Sequence, residues 1–432
     1  MKILVIENVF KKNAKYGILE KTILTSFSIL PTLYARQIAA ITPKKHDVNV
    51  LNERYEKIDY NKKYDIIHIN YTTSTANRAY EIADKFRKKK TKVVLSGMHA
   101  SGIPDEAKKH ADSVLLGRGE INWLTFLKDY ENGEIKEFYP PEKYGEIKIP
   151  PTKIKLPGFV LTGALEATRG CPYRCEFCPE SNMPGGQKYY TRPVEDVVDE
   201  IKKMPYKTIM FYDSSLTIKP SYTKELFHQM QGLSKKFFCN GNSDALANDT
   251  ELVELSKKAG CIGWLVGFES ISQQTIDKIG KKTNKVDEYH LTVENLHENK
   301  ILVIGDFMFG FDSDTKNVFD ETLKMIKKLR IDVADFCTLT PFPGTPIYDK
   351  LESENRLITK DWSEYSLKNV VFNPKNMTAE ELKNGLRKMY RNYYSINNST
   401  KRIIYSIKYG LYPFSSVIPR NIVATMNSKT LF

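Results

Sequence analysis

Three cysteines within eight residues, Cys171, Cys175 and Cys178 in the run CPYRCEFC, constrain this chain more than any other feature. The spacing C-x₃-C-x₂-C puts three thiolates on one short loop. That is enough to hold three irons of a [4Fe–4S] cube and to leave the fourth iron without a protein ligand. An open iron is a place for chemistry, whereas a fourth thiolate would make the cube an electron carrier. Cys239, Cys261 and Cys337 are dispersed singly in or beside apolar runs (KFFC, CIGWLVGF, ADFCTLT) and read as small core residues. Zinc asks for four ligands, usually as two separated pairs with histidine nearby, and the nearest histidines, at 110 and 228, make no such pattern.

At 432 residues the chain has room for two or three domains. No run of eighteen apolar residues occurs, and MKILVIENVFKKN turns polar after six residues, so neither a transmembrane helix nor a secretion signal is expected. Sparse cysteine suits a reducing compartment, which places the chain in the cytoplasm. The formal charge of +13 is concentrated at the end, because from Leu382 to Phe432 there is no Asp or Glu against nine Lys and Arg. Tyr390, Tyr393, Tyr394, Tyr405, Tyr409 and Tyr412 interleave with these cations, and Ile403, Ile404 and Ile407 recur at helical spacing. Such a tail could lie on an anionic membrane surface, grip a nucleic acid, meet an acidic substrate, or cap its own protein.

The first segment alternates strand-like runs (ILVIE, DVNVLNE, DIIHINY, TKVVLSG, SVLLGRGE) with helix-like ones at 31–40, 76–90 and 104–110. This pattern predicts an α/β fold with a doubly wound parallel sheet that takes ligands at the carboxyl ends of its strands. Those ends carry Thr73 and Ser74, Gly97 and His99, and Gly117, Gly119 and Glu120, small or polar residues that let a ligand approach the backbone. Standing alone, His99 and His68 would read as ordinary loop and strand polar residues. A Pro-, Lys- and Glu-rich stretch from Glu134 to Pro157 reads as a linker. Six further strand–helix units, beginning with ALEATRG at 164–170 and ending with DVADFCTLTPF at 332–342, predict a partial (β/α)6 barrel with the cysteine loop at a strand end. The expected division is 1–130, a linker at 131–160, the barrel at 161–348, and a helical basic segment at 349–432.

The run RGCPYRCEFC, with an aromatic residue before the last cysteine, resembles the signature of the radical S-adenosylmethionine enzymes. The resemblance implies that S-adenosylmethionine chelates the open iron and that one electron from the cluster yields a 5′-deoxyadenosyl radical, with a low-potential flavodoxin or ferredoxin as donor. Phe177 would approach the adenine. The end of the second barrel strand, with Asp213, would face the methionine amine, and Glu269 in GFES would stand near the ribose. For Asp213 and Glu269 the competing reading is a structural carboxylate at a helix start. The runs DIIHINYTTST, VVLSGMHASGIPDEA and SVLLGRGEINW look like the cobalamin-binding domain fused ahead of many members. The D-x-H-x-x-G element is absent after the first strand, where ENVFK stands, so a bound cobalt should lack that histidine.

The expected function is therefore cobalamin-dependent radical methylation of an unactivated carbon, with radical ring formation or rearrangement as the alternative. A different class, a non-catalytic iron–sulfur electron carrier, predicts a fourth cluster ligand. The aliphatic stripe in the basic tail favours a lipid-like or other large substrate, and a peripheral membrane position, over nucleic acid.

Overall fold

The computed structural model describes residues 1–8, 33–54, 56–141 and 162–427. Six strands, β1 (Lys2–Glu7), β2 (Asp47–Asn52), β3 (Ile66–Asn70), β4 (Lys92–Ser96), β5 (Ser113–Leu115) and β6 (Phe138–Tyr139), form a wholly parallel sheet in the order β2-β1-β3-β4-β5-β6. Isoleucine and valine on successive positions are buried on both faces of the central strands, as a sheet covered by helices on both sides demands. The chain reverses direction across the sheet between β1 and β3, and a crevice opens at that switch point. Two details differ from the sequence reading. Gly119 and Glu120 do not extend the fifth strand but start a helix, Gly119–Asn132, which buries Trp123 and Phe126. Phe138–Tyr139, inside the stretch expected as linker, is the edge strand β6, and residues 142–161 of that stretch lie outside the described residues.

The second unit is built on β7 (Thr162–Leu165), a small antiparallel pair β8 (Thr168–Arg169) and β9 (Tyr190–Thr191), and then β10 (Thr208–Phe211), β11 (Lys236–Gly241), β12 (Cys261–Glu269), β13 (Leu302–Phe309) and β14 (Val333–Thr338). The parallel order β14-β13-β12-β11-β10-β7 leaves β7 and β14 unpaired with each other, so the barrel is open along one side. Outward side chains such as Phe211, Phe237, Trp264, Phe307 and Phe336 join the helices in one large core, and inward ones such as Met210, Phe238 and Ile304 form a separate inner cluster.

An open sheet edge exposes unpaired backbone groups, and this protein closes it with tyrosine. On the helix Ala379–Tyr393 and its C-cap, Tyr394 donates to Ala334 O at 2.7 Å and accepts from Ala334 N at 3.2 Å. Tyr390 does the same at Phe336, at 3.1 and 3.2 Å, and Tyr393 donates to Ile331 O at 2.6 Å. Tyr390, Tyr393, Tyr394 and Tyr409 are thus buried structural groups, not a membrane- or substrate-facing array, because their hydroxyls complete the ladder of β14 or lie in the core. The tail does expose aliphatic side chains, with Ile396, Ile404, Ile407 and Leu411 each more than half exposed. Trp362, from the segment that follows the barrel, packs into the core of the front sheet and donates to Glu106 at 2.8 Å.

Candidate active site

The cysteine loop leaves β8 at the carboxyl end of the barrel and is fastened at several points. Gly170 turns with φ +75°, and a Cβ there would lie 2.0 Å from Lys188 O, so no other residue fits without moving the return strand. Cys171 N donates to Gly186 O at 2.8 Å, and Cys178 N donates to Cys175 O at 3.1 Å. The Asn182 amide donates to Cys175 O and Cys178 O at 3.0 and 2.7 Å, tying the loop's carbonyls, while the Cys175 thiol points at Gly280 O at 3.9 Å. All six cysteines are free thiols. Burial pushes the Cys175 thiol up to about 12, opposed chiefly by the Lys281 ammonium, so metal binding must displace its proton.

Among the described residues no three or more His, Cys, Asp or Glu gather closely enough to hold a single metal ion. A cube places each thiolate on a different iron, so it asks for three cysteines on one loop and not for one shared coordination sphere. Cys239 and Cys261 lie in the outer core, and Cys337 is on β14. The nearby carboxylates are already spoken for: Glu180 by Arg118 at 2.5 Å and Glu269 by Lys281 at 2.8 Å.

Glu269 adopts φ +61° at a shift in the β12–β13 register. This costly conformation is fixed by the Asn284 amide, which donates to Gly267 O and Phe268 O, and by the Tyr289 hydroxyl on Phe268 O. The strained backbone holds the Glu269 carboxylate against Lys281 beside the cysteines. Lys281, which sequence reading missed, is a part-buried cation whose charge acts on all three thiols. No motif surrounds it, and only the fold brings it there.

Asp213, at the end of the second long barrel strand, is engaged by the backbone. It is fully buried and accepts from Ala167 N at 3.1 Å and from Thr168 N and Oγ1 at 2.5 and 2.7 Å, so its oxygens anchor the β7–β8 turn that delivers the cysteine loop. Burial raises its carboxyl to about 7 against these hydrogen bonds. Phe177 is partly buried against the barrel core.

The front sheet faces this loop across a cleft of about 500 Å3. One wall is made by strand ends, with Glu7, Asn70, Gly97, Gly117 and Glu120, and the other by Glu166, Glu180, Met183 and Tyr212 of the barrel. Gly97 and Gly117 have positive φ, and a Cβ at Gly97 would lie 2.3 Å from Tyr71 O, so the close approach of the neighbouring strand end requires glycine there. Gly119 sits beneath the Tyr34 hydroxyl, where a Cβ would lie at 2.3 Å. Thr72 and Thr75 line the cleft, whereas Thr73 is buried and Ser74 bonds back to Thr72. His99 does not reach the cleft. It is buried between Tyr71 and Trp362, drawn there by Glu106, because its short helix turns it into the core. His68 is stacked on Trp123 inside the sheet, and no described histidine lines the cleft.

The two halves are joined by buried charge. Arg118 reaches Glu166 at 2.6 Å and Glu180, and Arg169 reaches Glu120 at 2.9 Å and Glu166 at 3.0 Å. Burial would raise the Glu166 carboxyl, but the two guanidiniums hold it down at about 2. Glu120 Oε2 and Arg169 Nη2 remain buried without hydrogen-bond partners beside the cleft.

Residues 165–326 match the model of the Radical SAM superfamily, and residues 345–425 match a domain of unknown function, DUF4070. The chain is 31% identical over 387 residues to the bacteriochlorophyllide d C-12(1)-methyltransferase of Chlorobaculum tepidum, covering 85% of this chain and 83% of that protein. It is also 31% identical over 357 residues to the bacteriochlorophyllide d C-8(2)-methyltransferase of the same organism, covering 77% and 79%. Its fold resembles that of the radical S-adenosylmethionine methyltransferase TsrM from Kitasatospora setae, solved with cobalamin and a [4Fe-4S] cluster bound. The TM-score is 0.72 at 15% identity, over 100% of this chain and 99% of that one.

Proposed function

This chain belongs to the radical S-adenosylmethionine superfamily, in the branch that carries a cobalamin-binding-type sheet ahead of its barrel, and on that premise we propose that it methylates an unactivated carbon of a large, mainly apolar substrate. The observation that carries this reading is the cleft between the two sheets, whose walls come from both domains and whose barrel side continues directly from the cysteine loop.

Cys171, Cys175 and Cys178 would hold the cluster, and the cleft beneath Gly97, Gly117 and Glu120, which no described histidine lines, would hold cobalamin. When bound, these groups and S-adenosylmethionine supply a low-potential electron, a radical that abstracts hydrogen, and a transferable methyl group. The chain's own residues do the rest. Arg118 and Arg169 fix the residues flanking the cysteines, Asn182 orients the loop carbonyls, and Asp213 anchors the turn before them. Lys281 keeps a positive charge beside the thiols and holds Glu269 in place, while a flavodoxin- or ferredoxin-type protein would deliver the electron.

The C-8(2) and C-12(1) relatives are described as methyltransferases, which favours methyl transfer over ring formation here. The test is anaerobic reconstitution with cobalamin, dithionite and S-adenosylmethionine. Release of 5′-deoxyadenosine and of S-adenosylhomocysteine, both lost in the Cys171→Ala, Cys175→Ala, Cys178→Ala variant, supports the reading. Protein that keeps no corrinoid and forms neither product contradicts it.

A second feature concerns location. Among the described residues no helix is long and apolar enough to cross a membrane. Ile404, Ile407 and Leu411 are nevertheless exposed beside Lys401 and Lys408, a composition suited to resting on an anionic bilayer. Sedimentation with phosphatidylglycerol vesicles, lost in Ile404→Glu/Ile407→Glu, would support this. Salt-sensitive binding to RNA with no vesicle binding would contradict it.

A further inference from the structure

The barrel lumen has one apolar side and one charged side, and the steps above do not use the charged side. On β10 to β12 the inward residues Met210, Phe238 and Ile262 join in one apolar cluster. On β13 and β14 the inward faces continue from Ile304 and Val333 to Asp306 and Asp335, which are direct register partners. Two carboxylates paired across strands repel each other, and nothing among the described residues donates a hydrogen bond to Asp306. Burial, then Asp335 and Glu269, raise the Asp306 carboxyl to about 8 against Lys368 and Lys281, so at neutral pH it keeps a proton to donate.

Facing this pair is Arg420 of the helix Leu411–Asn427, which lies across the barrel. Its guanidinium stands 5.3 Å from the Phe238 ring centroid, close enough to feel Asp335 and Asp306. It makes no hydrogen bond and no ion pair within 4 Å among the described residues. The guanidinium is only partly buried, which leaves its five donors open to a carboxylate partner.

We infer that Arg420 and Asp306 form the substrate-recognition end of the lumen and take the carboxylate of a large, mostly apolar substrate. This rests on the methyl-transfer reading above and names the class of molecule that enters the same barrel. Arg420 supplies a charge-assisted bond to one oxygen, and protonated Asp306 donates to the other. Lys368, with its Nζ 3.9 Å from Asp335, adds a second cation at this end of the lumen. The apolar body then lies over Phe238 and Met210.

The test measures binding of an anthroyloxy-labelled stearate and of its methyl ester to the reconstituted full-length protein, by fluorescence. The acid should bind at least about tenfold tighter than the ester in the wild-type protein, the expected scale of one charge-assisted contact. Arg420→Gln should bring the ratio close to one. Asp335→Asn, which removes a negative charge from the lumen without touching the helix Leu411–Asn427, should raise it. A wild-type ratio near one, no binding of either probe, or a ratio unmoved by either substitution overturns the proposal. Reductive cleavage of S-adenosylmethionine by the same preparation reads the parent assignment separately. Cleavage without discrimination between acid and ester removes only the lumen site, and discrimination without cleavage removes only the radical reading.

Discussion

Arg118 Nη1 lies 2.6 Å from Glu166 Oε1, joining the loop after the fifth strand of the front sheet to the residue that follows the first strand of the barrel. The same guanidinium grips Glu180, two residues beyond Cys178, so the cleft wall and the cluster loop share one side chain. Arg169 and Glu120 add a second bridge in the opposite sense of charge.

Removing one member of this network leaves a buried charge unmatched. Arg118→Ala should therefore cost about 3–5 kcal/mol of stability, read by denaturant unfolding, and should lower iron and corrinoid retention together. Loss of one without the other would show that the two sites are not mechanically joined.

The tyrosines that close β14 predict a different kind of damage. Tyr394→Phe strands both Ala334 N and Ala334 O, and should cost about 1–3 kcal/mol while promoting association through the bared edge. Light scattering and thermal unfolding would register both effects. Tyr405→Phe, at a partly exposed site, should do neither.

Lys281 is a cation that all three cluster cysteines feel. Lys281→Met leaves Glu269 uncompensated near them, so the cluster's reduction potential should fall on the order of 50–100 mV in an EPR-monitored titration. An unchanged potential would make Lys281 a packing residue only.

Asp306 makes stability depend on pH with a definite sign. Its folded-state proton is held up to about 8, well above the ordinary Asp range, so between those limits the folded chain binds more protons than the unfolded one. The contribution of this group is fully present below that window and is lost as pH rises through it. Asp306→Asn removes the dependence. Its gain in stability over wild type should therefore grow by about 4 kcal/mol from pH 5 to pH 8.5, and parallel pH profiles would contradict the assigned proton.

Much of this was legible in the sequence because it rests on local pattern. Isoleucine- and valine-rich runs at regular intervals placed β1 to β5 and the six barrel strands, and the spacing of three cysteines located the cluster loop. What could not be read depends on contacts between residues far apart in the chain. His99 looked like a strand-end ligand, yet Trp362 and Glu106 draw it into the core. Asp213 carries the expected residue type at the expected strand end, but its oxygens serve the backbone of Ala167 and Thr168. Lys281 is one lysine among many until Glu269 is folded against it, and the tail tyrosines looked like a surface array until the edge of β14 lay beneath them.

The account depends most on an iron that the polypeptide leaves open beside Cys171, Cys175 and Cys178. EPR spectra of the dithionite-reduced, reconstituted protein, taken before and after adding S-adenosylmethionine, test it directly. The account predicts a [4Fe–4S]+ signal whose g-values shift when the methionine amine and carboxylate ligate that iron. A signal that S-adenosylmethionine leaves unchanged, or protein that takes up zinc and no iron, would contradict it.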